Sequence, residues 1–226
     1  MLLLAWKKSK DKESDGFFIE KSSLKPMETL ENLSNNSNYW RAKTEGHAYI
    51  PKNETTELAF PKFSEILNQK FFEYLAEQFS LDHNGAHGYH HWLRVLYNGR
   101  LLCSRNSANI KVVELFSLLH DSKRSNKKSD PEHGERAAIF AETMRGTWFT
   151  VTDKELQLLQ DACILHSEGL RDKDVTIQTC WDADRLDNYH TEVDLNFSLL
   201  SDDLAKQELI IFEAGQRALM QAFKSA

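Results

Sequence analysis

Apolar residues recur at spacings of three and four along the chain after about residue 60, which predicts amphipathic helices. The first stripe follows Pro61, a residue suited to the first turn of a helix, and consists of Phe63, Ile66, Leu67, Phe71, Leu75 and Phe79. The same pattern predicts further helices over about 88–104, 109–121, 132–145, 153–166, 173–190 and 203–223. No stretch alternates between apolar and polar residues over the length of a strand, so the predicted fold class is all-α.

The helix predicted over 109–121 differs from the others in its composition. From Val112 to Leu119 its residues are apolar nearly all round the helix axis. A helix of this kind is buried on most sides, so we expect it to be the central helix of the domain.

Residues 1–60 lack the helical pattern. They show little sustained periodicity, and residues 31–38 are polar and turn-forming. Three of the four prolines fall within the first 61 residues. The sequence therefore predicts an irregular N-terminal extension over 1–60 and one helical domain over 61–226.

Charge and composition restrict the classes of partner. The 28 basic and 34 acidic residues give a formal net charge of −6, which disfavours bulk nucleic acid and anionic membranes as main partners. No apolar run reaches the length of a membrane span, and the apolar start precedes the first lysines, the reverse of a signal peptide. The three cysteines have no close spacing, which favours a reducing compartment. We therefore expect a cytoplasmic protein.

The predicted central helix ends in the pair His120-Asp121. A carboxylate at the end of such an apolar helix is costly unless another group compensates its charge. A divalent cation would do so, because imidazole and carboxylate are good ligands for first-row metals. The alternative is a helix that simply emerges into solvent at this point.

Two other segments carry candidate ligands. His87 and His91 are four residues apart and share a helical face, and Arg94 follows three residues later. Far downstream, Asp184 and Asp187 share a face of another predicted helix. These segments favour the metal site over a solvent-exposed helix end.

The order and local context of these motifs resemble the HD-domain superfamily of metal-dependent phosphohydrolases. The chain is similar to small bacterial HD proteins that begin with H-G-x-x-H-W-x-R-V, here His87 to Val95. The continuation L-H-D-S-x-R and D-P-x-H-G corresponds to Leu119–Arg124 and Asp130–Gly134, and a distant A-D-R-L motif follows. The resemblance covers about residues 80–200 and implies an HD-domain helical bundle, but it has no counterpart for residues 1–60.

The resemblance implies a metal shell of two histidines and two aspartates, namely His91, His120, Asp121 and Asp184. Such a mixed set suits Mn²⁺, Fe²⁺, Co²⁺, Ni²⁺ or Zn²⁺ better than Ca²⁺, and one divalent transition-metal ion is expected. In related proteins, histidines at the positions of His133 and His166 bind a second metal or contact phosphate, so a second ion stays open. The alternative for these two histidines is a hydrogen-bonded pair at helix ends.

Basic residues near the predicted ligands are candidates for contacts with an anionic substrate. Lys123 and Arg124 follow the His-Asp pair and, with Asp121, are the predicted catalytic residues. The residues expected to bind substrate are Arg94, His133, His166 and Arg185. The residues expected to support the ligands through hydrogen bonds are His87 and Asp187.

The resemblance implies hydrolysis of a phosphoester of a small metabolite, with a nucleotide as the expected substrate and a metal-bound water as the nucleophile. Two alternatives stay open. One is a non-catalytic HD module that binds a nucleotide or acts as a scaffold, and the other is a di-iron oxygenase of the HD type. All four ligand positions are intact, which favours the enzyme over the non-catalytic module.

Overall fold

The computed structural model describes residue 62, residues 64–187 and residues 197–219. These residues form seven α-helices and a short 3-10 helix, Phe197–Leu199, and contain no strand, which confirms the all-α prediction. The helices are α1 Gln69–Gln78, α2 Tyr89–Cys103, α3 Ile110–Leu119, α4 His133–Met144, α5 Asp153–Leu165, α6 Val175–Asp187 and α7 Glu208–Leu219. The predicted extension over 1–60 lies outside the described residues. None of the described helices is long and apolar enough to cross a bilayer.

Helix α3 occupies the centre of the fold, as its composition predicts. Every residue from Val112 to Leu119 is buried, and the helix packs against α2, α5 and α6. The crossing of α2 over α3 depends on Gly99, because a Cβ atom there would lie 2.5 Å from Val113 Cγ1. This packing brings residues of α2 and α6 to the C-terminal end of α3, where the His-Asp pair lies.

Helix α1 begins later than the apolar spacing predicts. Asn68 caps it, since the Asn68 side chain accepts a hydrogen bond of 3.0 Å from the backbone N–H of Phe71. Ile66 and Leu67 precede the cap and are buried outside any helix. Ile66 and Leu67 keep helical spacing with the later apolar residues because both are buried, although their segment is irregular. The predicted continuous helix after Pro61 was therefore wrong.

Helix α5 begins with a capping box. The Thr152 hydroxyl accepts a hydrogen bond from the Glu155 backbone N–H, and the Glu155 carboxylate accepts one from the Thr152 backbone N–H. Asp153 is the first helical residue, where its negative charge interacts favourably with the helix dipole. The cap is therefore Thr152, the residue directly before Asp153.

Replacing Thr152 with Ala should lower the free energy of unfolding by about 1 kcal/mol, because the hydroxyl that accepts from Glu155 is lost. Urea denaturation of the variant and of Thr152→Ser measures the effect. The Ser variant keeps a hydroxyl and should retain most of the stability. Equal stability of all three proteins would contradict a role for this cap.

Candidate metal centre

Three helices bring the predicted ligands together. His91 lies on α2, His120 follows the last residue of α3, and Asp184 lies on α6. His91 Nε2 is 3.1 Å from His120 Nε2 and 3.3 Å from Asp184 Oδ1. Asp121 Oδ2 lies 3.8 Å from each of the two Nε2 atoms. All four residues are buried. Two groups that share His120 could each hold a metal ion, namely His91, His120 and Asp184, and His120, Asp121 and His166.

Hydrogen bonds of the two imidazole rings show which nitrogen faces the cluster as an acceptor. His91 Nδ1 lies 2.6 Å from Asp187 Oδ2, and His120 Nδ1 lies 3.0 Å from the Phe116 carbonyl oxygen. Because an ionised carboxylate and a carbonyl only accept, each Nδ1 carries a proton. In the neutral imidazole, Nε2 then presents its lone pair to the cluster. Two such lone pairs at 3.1 Å repel each other unless a proton or a metal ion lies between them, and two imidazoles beside carboxylates are a donor set that fits a divalent cation.

A second histidine pair lies on the other side of the Asp121 carboxylate. Asp121 Oδ1 is 3.2 Å from His133 Nε2 and 3.7 Å from His166 Nε2, and these two nitrogens are 2.9 Å apart. Their Nδ1 atoms bond the carbonyl oxygens of Asp130 and Cys163, respectively. Both Nε2 atoms therefore also face the carboxylate as acceptors when the rings are neutral. Asp121 thus lies between two histidine pairs.

Gly134 allows the second pair to form. Helix α4 begins at His133, and helix α5 ends directly before His166. A Cβ atom at Gly134 would lie 2.2 Å from the carbonyl oxygen of Cys163, so any side chain would push these two helix ends apart. The glycine of the D-P-x-H-G motif therefore has a packing role next to the site.

The two predicted catalytic basic residues point to different places. Arg124 Nη1 lies 3.1 Å from Asp121 Oδ1 and 3.0 Å from His133 Nε2. Lys123 Nζ instead lies 3.8 Å from the centre of the Phe140 ring. The structure brings Arg124 to the cluster and places the ammonium of Lys123 against α4.

Asp187 connects a predicted ligand to an arginine. Its carboxylate accepts hydrogen bonds from Arg94 Nε at 2.6 Å and from Arg94 Nη2 at 3.0 Å, in addition to the bond from His91. Asp187 is fully buried, and Arg94 is nearly so. The structure thus places Asp187 where a residue that supports a ligand is expected, and it places the Arg94 guanidinium on Asp187.

Arg185, predicted to bind substrate, contacts the protein backbone. It donates hydrogen bonds to the carbonyl oxygens of Leu170 at 2.6 Å and Leu199 at 2.8 Å. The nearby Asp182 carboxylate accepts from the backbone N–H groups of Ser201 and Asp202. Arg185 and Asp182 therefore fasten two loop segments to α6, a role that their sequence context did not reveal.

Burial and charge act in opposite directions on the pKa values of the cluster. Burial alone would raise the pKa values of Asp121 and Asp184, but the neighbouring imidazoles hold both well below the usual value. Burial lowers the pKa of His120. Burial would also lower the pKa of His91, but the carboxylates of Asp184 and Asp187 raise it to about 10. Two ionised carboxylates in so buried a cluster favour bound positive charge.

His87 makes a further contact with the Asp121 carboxylate. Its Nδ1 lies 2.8 Å from Asp121 Oδ2, and the residue precedes α2, two positions before Tyr89. The His87 side chain is about one quarter exposed, whereas the Asp121 side chain is almost fully buried. His87 therefore lies at the solvent side of the cluster, with its Nδ1 at hydrogen-bond distance from Asp121.

Comparisons with protein-family models, with curated proteins and with solved structures find no match to this chain. The resemblance to the HD-domain superfamily therefore rests on the sequence motifs alone. The geometry of the histidine and aspartate cluster is an independent reason to consider metal chemistry.

Proposed function

We propose that this chain is a metal-dependent phosphohydrolase of the HD type. Its expected reaction is hydrolysis of a phosphoester of a small metabolite, with a nucleotide as the substrate class. The observation that supports this proposal most is the carboxylate of Asp121, which faces two pairs of histidine Nε2 atoms in a buried cluster. Burying such a cluster without a cation is costly. A metal-dependent hydrolase uses the bound cation to activate water.

The residues that would hold the ion are His91, His120, Asp121 and Asp184. When bound, a first-row divalent ion supplies Lewis acidity toward a phosphoryl oxygen and a water of lowered pKa. The two carboxylates balance the charge of one such ion. Asp187 fixes the ring of His91 through its Nδ1 hydrogen bond, so that Nε2 stays directed at the cluster.

Arg124 is the basic residue best placed to bind the phosphoryl group. Its Nη1 reaches Asp121 at 3.1 Å, and its side chain keeps about one tenth of its surface exposed. Its Nε is buried and has no hydrogen-bond partner among the described residues, so a donor remains for an anion. A guanidinium matches the geometry of phosphate oxygens and stabilises charge that develops on them.

The pair His133–His166 supports a second candidate function, a di-iron oxygenase. A second iron would need the Nε2 atoms of this pair, which lie 2.9 Å apart beside Asp121. Iron at about two ions per chain and oxygen consumption with a product would identify this activity. The contact of Arg124 with His133 favours the hydrolase, because a guanidinium beside the pair opposes a second cation.

Metal analysis followed by a substrate panel tests the proposal. The full chain is purified without added metal, its metals are measured by mass spectrometry, and nucleotides, cyclic nucleotides and sugar phosphates are assayed for phosphate release or diester cleavage. We expect about one first-row ion per chain and turnover of at least one nucleotide.

Two other results of this experiment would contradict the proposal. Nucleotide binding without turnover of any compound, in protein loaded with metal, identifies a binding or scaffolding module. Protein that retains no transition metal, and gains none from added Mn²⁺, would overturn the metal centre. Asp203→Asn serves as a control for purification artefacts, because Asp203 is a fully exposed carboxylate outside the cluster.

A further inference from the structure

Arg124 and Asp121 both contact His133, one member of the second histidine pair. Its Nη1 lies within hydrogen-bond distance of both His133 Nε2, at 3.0 Å, and Asp121 Oδ1, at 3.1 Å. In the neutral ring His133 Nε2 is an acceptor, since its Nδ1–H donates to the Asp130 carbonyl. A guanidinium nitrogen only donates, so Arg124 satisfies two of the acceptors that a cation at this pair would use.

We propose that the Arg124 guanidinium takes the place of a second cation, so that the chain holds one divalent ion on the His91–His120 side and excludes another from the His133–His166 pair. This inference rests on the metal centre of the proposed function. It goes beyond that function because it assigns the number of ions to one side chain.

The local structure holds Arg124 in this position. The backbone N–H of Arg124 donates to the Asp121 carbonyl at 3.0 Å, which closes a turn directly after the His-Asp pair. At the other end of the side chain, Nη2 donates to the Lys128 carbonyl at 3.3 Å. The guanidinium is therefore fixed on two sides, by the turn and by the following loop.

The loop that receives Nη2 is itself fastened. Asp130 accepts a hydrogen bond from the Ser125 backbone N–H at 2.7 Å and bonds Arg136 Nη2 at 2.6 Å. Arg136 lies on α4, less than one turn after His133. The loop and the second histidine pair thus share one support, which keeps the guanidinium beside His133.

Charge also separates the two halves of the cluster. The His91–His120 side has Asp184 Oδ1 and Asp121 Oδ2, and these two carboxylates balance one dication. Among the described residues, the carboxylate on the other side is Asp121 Oδ1, and Arg124 already adds a positive charge to it. A second dication would therefore share the one carboxylate that the described residues place there, beside a fixed cation.

Manganese titration of the full-length protein tests the inference. Chelator-treated wild type, Arg124→Gln and Lys127→Gln are loaded with Mn²⁺, and bound metal is counted after gel filtration. Electron paramagnetic resonance then distinguishes isolated from exchange-coupled ions. We expect about one ion with an uncoupled spectrum in the wild type, and about two ions with a coupled spectrum in Arg124→Gln.

The control removes a nearby charge without touching the pair. Lys127 is exposed and lies in the same loop, so Lys127→Gln should keep about one ion. The double variant Arg124→Gln/His166→Gln should also return to about one ion, because it lacks a ligand for the second. Arg124→Met carries the same expectation as Arg124→Gln and provides a second test if the first variant does not fold.

The outcomes separate this inference from the proposed function. Two ions in the wild type, or one ion in both Arg124 variants, would overturn the role of Arg124 and leave the metal centre standing. No bound ion in the wild type or in the variants would overturn both. These results depend only on counting metal and on the spectrum, not on a substrate.

Discussion

Replacing Asp121 with Asn is expected to remove metal binding and hydrolysis together. The affinity for a divalent ion should fall by more than about 100-fold, and kcat/KM by more than about 1000-fold. Asp121 is the residue on which both histidine pairs converge, through Oδ2 on one side and Oδ1 on the other. A neutral amide has nearly the same shape, but it removes the negative charge and presents an N–H₂ group to one of the two pairs.

Metal analysis and thermal unfolding with added Mn²⁺ measure the first effect. Mn²⁺ should raise the melting temperature of the wild type, because a ligand that binds only the folded state stabilises it, and should leave that of Asp121→Asn unchanged. Asp203→Asn removes an exposed carboxylate and should behave as the wild type. Asp121→Asn that retains one equivalent of metal would show that this carboxylate is not a ligand.

The helices near the site could be predicted closely because their ends carry local signals. Helix α2 begins after Gly88, and α3 begins after Asn109, whose side chain accepts a hydrogen bond from the Lys111 backbone N–H. The start of α1 was predicted too early, because burial of Ile66 and Leu67 in an irregular segment imitates helical spacing. Apolar spacing reports burial, and the Asn68 cap decides where the helix starts.

The sequence was informative about the histidine and aspartate cluster for a similar reason. His91, His120 and Asp184 lie on or at the end of helices that pack directly on one another, so their positions follow from the fold. The basic residues depend instead on which acceptor each long side chain meets. Lys123 and Arg124 are adjacent in a turn, and only the three-dimensional arrangement shows that one meets an aromatic ring and the other the cluster.

The hydrogen-bond partners of Arg94 and Arg185 could not be predicted from the sequence for the same reason. Arg94 and Arg185 both lie within three residues of a predicted ligand, which made each a candidate for substrate binding. In the fold, Arg94 meets a buried carboxylate and Arg185 meets two backbone carbonyls. Proximity in sequence to a ligand therefore indicates the neighbourhood of a side chain but not the group that it binds.

Asp187→Asn is expected to weaken metal binding by about 10- to 100-fold and to lower the free energy of unfolding by about 3–5 kcal/mol. The two effects have different causes. Asp187 accepts from His91 Nδ1 and so orients a proposed ligand, and it also compensates the charge of the buried Arg94. Mn²⁺ titration and urea denaturation of the variant measure the two effects separately.

The double variant Arg94→Met/Asp187→Asn distinguishes these two causes. Removing the guanidinium along with the carboxylate eliminates the uncompensated buried charge, so part of the lost stability should return. Metal affinity should stay low, because His91 still lacks its anionic partner and its ring is less firmly oriented. If the double variant regained wild-type metal affinity, the Arg94 charge rather than the orientation of His91 would explain the loss in Asp187→Asn. If Asp187→Asn alone bound metal as the wild type does, Asp187 would serve the stability of the fold and not the ligand.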